Sequence, residues 1–333
     1  MSFERVAIIG LGLLGGSIGL AVRECLPGVA TTGYDADPAT RARAAERGLV
    51  GQVCDDPADA VRNADLVILC VPVGAMGAAA RAMAPHLPQG VLVSDVGSSK
   101  QTVAAALAEA LPGVAVIPAH PVAGTERSGA DAGFASLFRH RWCIITPPAG
   151  ADPGQLAALS TFWEALGAEV EIMDARHHDM VLAVTSHLPH LIAYTIVGTA
   201  SDLEGVTESE VIKYSAGGFR DFTRIAASDP TMWRDVFLTN KDAVLEMLQR
   251  FTEDLTALQR AIRVGDGAQL FDHFERTRAI RRSIIEEGQD DARPDFGRSD
   301  HGSSAGRLRP QPTSPQWKAS RRIPASRKSP DRP

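Results

Sequence analysis

Residues 5–17, Arg5-Val-Ala-Ile-Ile-Gly10-Leu-Gly12-Leu-Leu-Gly15-Gly16-Ser17, constrain this chain more than any other stretch. A β-branched run leads straight into G-x-G-x-x-G, and Asp35 closes the next apolar run 20 residues after the third glycine. A strand that enters a glycine turn and leaves as a helix is the fingerprint of a dinucleotide-binding unit. Gly10 permits the tight turn, Gly12 lets backbone N–H groups approach a pyrophosphate, and Gly15 lets helix and strand pack closely. The positive end of the helix points at the phosphates. Asp35 is placed to accept hydrogen bonds from an adenosine ribose, and its charge repels a 2′-phosphate. No Arg follows it directly, since Arg41 and Arg43 lie past Pro38. NAD is therefore the expected cofactor, ahead of NADP. The residues expected to hold it are Gly10, Gly12, Leu13, Leu14, Gly15, Asp35, Val71, Pro72 and Ser98.

Strand-like runs alternate with alanine-rich helical stretches through the first half: Val6–Gly10, Ala30–Asp35, Ala64–Val71, Gly90–Asp95, Val114–Pro118, Cys143–Thr146 and Val170–Met173. This alternation predicts an α/β fold with a Rossmann-type, doubly wound, mostly parallel sheet over residues 1–174. From His177 to about Glu287 no strand pattern appears and the helical period dominates. Val244, Leu248, Phe251, Leu255, Leu258 and Ile262 recur at spacings of four and three, a seam suited to helix-on-helix packing. An all-α domain over 175–288, binding substrate and pairing two copies into a homodimer, is expected. From Asp291 onward, ten Lys/Arg, four Asp and seven Pro in 43 residues leave too little apolar surface to offset ordering entropy, so 289–333 reads as a disordered basic tail.

At 333 residues the chain has room for two domains. The net charge of −6 gives no reason to expect nucleic acid as partner. Cys25, Cys54, Cys70 and Cys143 lack C-x-x-C spacing and read as reduced, small buried hydrophobes. The apolar stretch Met180–Ala200 is broken by His187, Pro189 and His190, so no membrane span is expected and the protein reads as cytoplasmic.

Three further segments fall where a Rossmann enzyme places chemistry, at strand C-termini and in the following domain. Asp95-Val-Gly-Ser98-Ser-Lys100 and His120-Pro-Val-Ala-Gly-Thr125-Glu126 each follow a strand. Ser186-His187-Leu-Pro-His190 comes later, followed by Gly217-Gly-Phe-Arg-Asp221-Phe-Thr-Arg224 and Asp229-Pro-Thr-Met-Trp233-Arg234. His120, on its loop at the sheet's C-terminal edge, is the candidate general base, because neutral imidazole titrates near working pH. A His that only caps the turn before Pro121 would look the same. Lys100, at a helix start, is expected to be solvated. His187 and His190 stand three apart on one side of a helix. Without a convincing third ligand they are not read as a metal site, and His187 suits a core histidine. Arg224 offers a guanidinium fork for a carboxylate, or a surface ion pair with Asp221. Trp233 lines the same pocket or fills a core.

Taken in order, these motifs resemble the prephenate/arogenate (cyclohexadienyl) dehydrogenase family of tyrosine biosynthesis, over roughly residues 5–287. The resemblance implies NAD(P)-dependent oxidation of a cyclohexadienol with loss of CO2, giving 4-hydroxyphenylpyruvate from prephenate or tyrosine from arogenate. It implies that His120 is the catalytic base and that Ser98 hydrogen-bonds base and substrate. His190 would contact the substrate side chain, with Ser186, Thr125 and Trp233 in the same site. Glu126, Asp221 and Arg224 would form a charged network at the entrance. Two other readings stay open. One is a β-hydroxyacid dehydrogenase, which needs a catalytic Lys in the helical domain, Lys213 or Lys241 here. The other is a non-catalytic NAD-binding sensor, which would have no use for a base.

Overall fold

The computed structural model describes residues 3–207 and 217–286. β1 (Arg5–Ile9), β2 (Ala30–Tyr34), β3 (Gln52–Val53), β4 (Leu66–Leu69), β5 (Leu92–Asp95) and β6 (Ala115–Val116) form one six-stranded sheet in the order 3-2-1-4-5-6. Every pairing in it is parallel. This is the doubly wound α/β arrangement expected, and its strand order reverses beside β1, where such sheets bind ligands. The two-residue β3 carries no pattern that a local window would detect.

Both faces of the central strands are covered, which explains their unbroken apolar runs. On one face Val6, Ile8, Leu66 and Ile68 pack with Ile18 and Val22 of α1 (Leu13–Cys25) and, through the same core, with Trp163 of α6 (Pro153–Ala165). On the other, Ala7, Ile9, Val67 and Leu69 meet Met76 and Met83 of α4 (Met76–Met83) and Val103 and Leu107 of α5 (Gln101–Ala110). Short helices α2 (Pro38–Arg47) and α3 (Pro57–Val61) each start at an Asp whose carboxylate caps the first turn, Asp37 and Asp56.

The expected strand at Val114–Pro118 divides. Pro118 has no N–H to continue the ladder. Its carbonyl instead accepts from Thr146 N (2.9 Å), and the chain passes into a second sheet. That sheet runs β7 (Ala119–Pro121), β8 (Trp142–Ile145), β9 (Glu169–Ile172), with β7 antiparallel to β8 and β9 parallel to it. His120 thus sits within a strand, opposite Ile144, rather than on the loop expected for it.

The C-terminal region is helical throughout its described residues. α7 (Ala175–Leu182) runs through a π-helical turn (Ala183–His187) into α8 (Leu188–Thr207). Pro189 cannot donate to residue 185 and its ring crowds that carbonyl, which accounts for the widened turn. By length and composition Ala175–Asp202 could cross a bilayer; within it His178, Asp179 and His187 are fully buried, while Arg176, His177 and Asp202 are exposed. α9 (Gly217–Thr223), α10 (Pro230–Thr239), α11 (Lys241–Val264) and α12 (Gly267–Glu286) complete the chain. On α11 the predicted seam buries Val244 but leaves Leu255 and Ile262 exposed, and Phe271, Phe274 and Ile280 of α12 are exposed as well. The tail over 289–333 and Lys213 lie outside the described residues.

The helical region docks on the sheet region through polar contacts. Asp179 of α7 accepts from the backbone N–H groups of Lys100 (2.7 Å) and Gln101 (2.9 Å). It thereby caps α5, whose own N-cap residue supplies no side-chain bond. Thr239 of α10 bonds Ser99 Oγ (2.8 Å) and accepts from Thr102 Oγ1 (2.7 Å).

Candidate active site

The glycine turn has the shape a dinucleotide needs. Gly10 takes φ +102°, and a Cβ there would lie 2.6 Å from the Cys70 carbonyl oxygen. A Cβ on Gly15 would lie 1.9 Å from the Gly10 oxygen, so only glycine lets α1 start this close to β1. At Gly12 the same atom would meet nothing within 4 Å. This N-cap of α1 has no side-chain hydrogen bond, so the first-turn amides, including those of Leu13 and Leu14, face open space. Asp35 accepts from Leu11 N (2.8 Å) and Asp37 N (3.0 Å), which orients its carboxylate at the sheet edge. Arg41 lies beside this acid: it donates to the Asp35 carbonyl (2.9 Å), pairs with Asp55 (3.3 Å) and lies over the Tyr34 ring. Arg43 is held by Glu46 and Asp131. Val71, half-buried, and Pro72, exposed, follow β4 at the same edge. These residues fit a bound dinucleotide.

Next to this edge lies a buried polar cluster. His120 Nδ1 is 2.9 Å from His178 Nε2, and His178 Nδ1 is 2.9 Å from Asp179 Oδ1. Burial, helped by the neighbouring His178, Lys100 and His187, pushes His120 well below the usual imidazole range, so it is neutral at pH 7. Burial also lowers His178, against the opposing hydrogen bond it donates to Asp179. Asp179 ends below the usual carboxylate range, because hydrogen bonds from His178, Gln101 and Lys100 outweigh the cost of burying it.

Lys100 departs from expectation. It is fully buried, ion-paired with Asp95 and donating to the Ala119 carbonyl (2.7 Å), so it ties the end of β5 to β7 just before His120. Ser98, half-buried in the same β5–α5 loop, lies on the His187 side. His187 is a core histidine: its Nδ1 faces Asn240 Nδ2 (3.0 Å), and burial lowers it to about 4.

The other predicted residues form the cluster's outer wall. His190 stacks on Trp233 with centroids 3.6 Å apart, and His187 meets the same indole edge-on. His190 Nδ1 lies 2.8 Å from the Ser186 carbonyl, which must accept, so its Nε2 carries the lone pair. Burial lowers its pKa and the charge of Arg224 lowers it further, although the Ser186 bond opposes both. Arg224 pairs with Glu126 (3.2 Å), both half-exposed. Thr125, exposed, accepts from Arg127 N. The expected Asp221–Arg224 pair is absent among the described residues. α9 ends at Thr223, Arg224 opens a 3₁₀ turn, and its guanidinium turns to Glu126 instead. A chain of neighbours therefore runs from His120 through His187, Trp233 and His190 to Arg224 and Glu126. Among the described residues no His/Cys/Asp/Glu group could hold a metal ion. His178, Asp179 and Asn240 were not legible from the sequence, where His177-His178-Asp179 shows no sign of which imidazole turns inward.

A parallel sheet in the order 3-2-1-4-5-6, an acid-bounded glycine turn and a buried neutral imidazole at its C-terminal edge define an NAD-dependent dehydrogenase. Residues 18–172 match the model for the prephenate dehydrogenase nucleotide-binding domain, and 174–276 match that for its dimerization domain. The chain is 45% identical to the cyclohexadienyl dehydrogenase of Zymomonas mobilis, over 85% of this chain and 96% of the relative. It is 31% identical to the prephenate dehydrogenase of Bacillus subtilis, over 84% and 76%. Its fold matches the crystal structure of A. aeolicus prephenate dehydrogenase in complex with hydroxyphenyl propionate and NAD+, with a TM-score of 0.80 and 33% identity, covering 85% of this chain and 99% of that one. The chain belongs to the prephenate dehydrogenase family.

Proposed function

We propose that His120 is the base of an NAD-dependent oxidative decarboxylation of prephenate, arogenate or both, with Arg224 holding a substrate carboxylate. The observation that carries this reading is the buried, neutral imidazole of His120, hydrogen-bonded to His178 beside the glycine-turn edge, with the Arg224 guanidinium close enough to His190 to act on its charge. The Gly10–Gly15 turn, Asp35, Val71 and Pro72 would hold NAD, which when bound would supply the hydride acceptor. His120 takes the ring hydroxyl proton as the carbinol C–H bond breaks. The carboxylate C–C bond then breaks with release of CO2, its electron pair completes the aromatic ring, and the ring oxygen takes the proton back from His120. Aromatisation supplies driving force, so the side chains serve mainly to position and deprotonate. Ser98 and His190 orient the substrate hydroxyl and side chain, while Ser186, Thr125 and Trp233 shape the wall. Glu126 and Arg224 stand at the entrance, with Asp221 near them on α9.

In this reading residues 1–174 bind the dinucleotide, 175–288 complete the substrate site, and two copies pair through the apolar faces of α11 and α12 in the cytoplasm. The Asp35 carboxylate, held in place by the Leu11 and Asp37 amides and repelling a 2′-phosphate, supports NAD over NADP. The test is His120→Asn, followed by NADH absorbance with prephenate and then arogenate. Turnover should fall about 10²–10⁴-fold with NAD affinity unchanged. Near-normal kcat in the variant removes His120 from the role.

A further inference from the structure

We propose that His178, oriented by Asp179, is a positioning residue that sets the tautomer of His120 and so decides which of its nitrogens removes the substrate proton. This rests on the reading of His120 as the base. The order of the hydrogen bonds leaves one arrangement. Asp179 accepts the backbone N–H groups of Lys100 and Gln101, which hold it as a carboxylate with no proton to donate. The atom 2.9 Å from its Oδ1 must therefore be a donor, so His178 carries its proton on Nδ1. A neutral His178 then presents only a lone pair at Nε2. His120 Nδ1, 2.9 Å away, must supply the N–H. What remains on His120 is an unprotonated Nε2, the lone pair a general base requires.

His178 is fully buried whereas His120 keeps 7% of its surface open, so only His120 can reach a substrate. When Nε2 takes the hydroxyl proton, the new imidazolium still donates from Nδ1 to His178, and the Asp179 charge stabilises it through that ring. Among the described residues the other charged or titratable groups around the pair are Lys100, Asp95, His187 and the Cys143 thiol. Lys100 is neutralised by Asp95, burial keeps His187 uncharged at neutral pH and Cys143 protonated, so among these groups Asp179 is the uncompensated charge beside the two rings.

The test compares His178→Phe with His178→Gln in the full chain. Phe fills the space but leaves the His120 N–H without an acceptor, while the Gln carbonyl can accept it. Phe should lower kcat at least about tenfold, the size seen when an orienting partner of a functional His is lost. KM for prephenate and for NAD should stay put, marking a loss confined to the transition state. Gln should recover most of the rate. A role in packing alone predicts the reverse order, and Phe equal to or better than Gln overturns the proposal. ¹⁵N NMR of the His120 ring in the unmodified protein gives a reading independent of how either variant folds. A proton on Nδ1 supports the assignment, and one on Nε2 overturns it. If His120→Asn retains turnover while the NMR shows Nδ1–H, the base reading has failed and the tautomer assignment stands.

Discussion

Mild acid should weaken this protein through His187, by an amount the structure allows to be worked out. Asn240 Nδ2 donates to the Asp179 backbone carbonyl (2.9 Å), and because a carbonyl can only accept, the amide cannot be flipped. Its second N–H points at His187 Nδ1 (3.0 Å), which must then be the lone-pair nitrogen. Protonating that atom would set one donor against another in a site with no solvent exposure. Burial lowers His187 from 6.5 to about 4, despite the opposing pull of Asp179. Above about pH 7 the imidazole is neutral in both folded and unfolded chains and contributes nothing. As the pH falls, the unfolded chain takes up a proton that the folded chain resists, so stability is lost. Between pH 7 and 5 the loss from this residue is about 2 kcal/mol, reaching roughly 3 kcal/mol by pH 4. Urea unfolding at fixed protein concentration, for the natural chain and for His187→Gln, isolates the effect from other titrating groups. The natural chain should lose about 2 kcal/mol more than the variant over that interval. Equal losses would refute the assignment of a buried, neutral, Nδ1-accepting His187.

Arg224→Ala should leave thermal stability nearly unchanged, because its ion pair with Glu126 is half-exposed. It should raise the substrate KM by a factor equivalent to about 2–5 kcal/mol, and an unchanged KM in steady-state kinetics would remove Arg224 from the substrate carboxylate. Asp35→Asn removes the charge and keeps an acceptor for one of the Leu11 and Asp37 amides, which bond different carboxylate oxygens, so the NAD to NADP ratio of kcat/KM should move toward NADP; a fixed ratio would count against a ribose contact. Charging two exposed apolar positions together, Leu255→Glu with Phe271→Glu, should convert a dimer to a monomer in sedimentation, and an unchanged species would place the pairing surface elsewhere.

What could be read from the chain is what neighbouring residues decide among themselves. The Gly10–Gly15 turn was legible because steric exclusion at Gly10 and Gly15 is local to β1 and α1. The core strands were legible because burial on both faces removes polar positions from them. Where prolines flank and end a short strand, as at Pro118 and Pro121, the pattern gives no warning that the chain changes sheets, and it places His120 on a loop. The burial of Lys100 is hidden from the sequence for a related reason. The cost of burying its ammonium is offset by Asp95 across the β5–α5 loop and by a carbonyl 19 residues later, and no period brings those groups together. Arg224 pairs with Glu126, 98 residues away, rather than with Asp221 three residues before it, and no local spacing shows that partner. His178 and Asp179 belong to the same kind. The carboxylate that caps α5 from the helical domain is the one that orients His178, so docking the two regions and setting the His120 tautomer are a single interaction. Loosening that contact should therefore weaken the docking and the catalysis together, a coupling that neither α5 nor α7 contains alone.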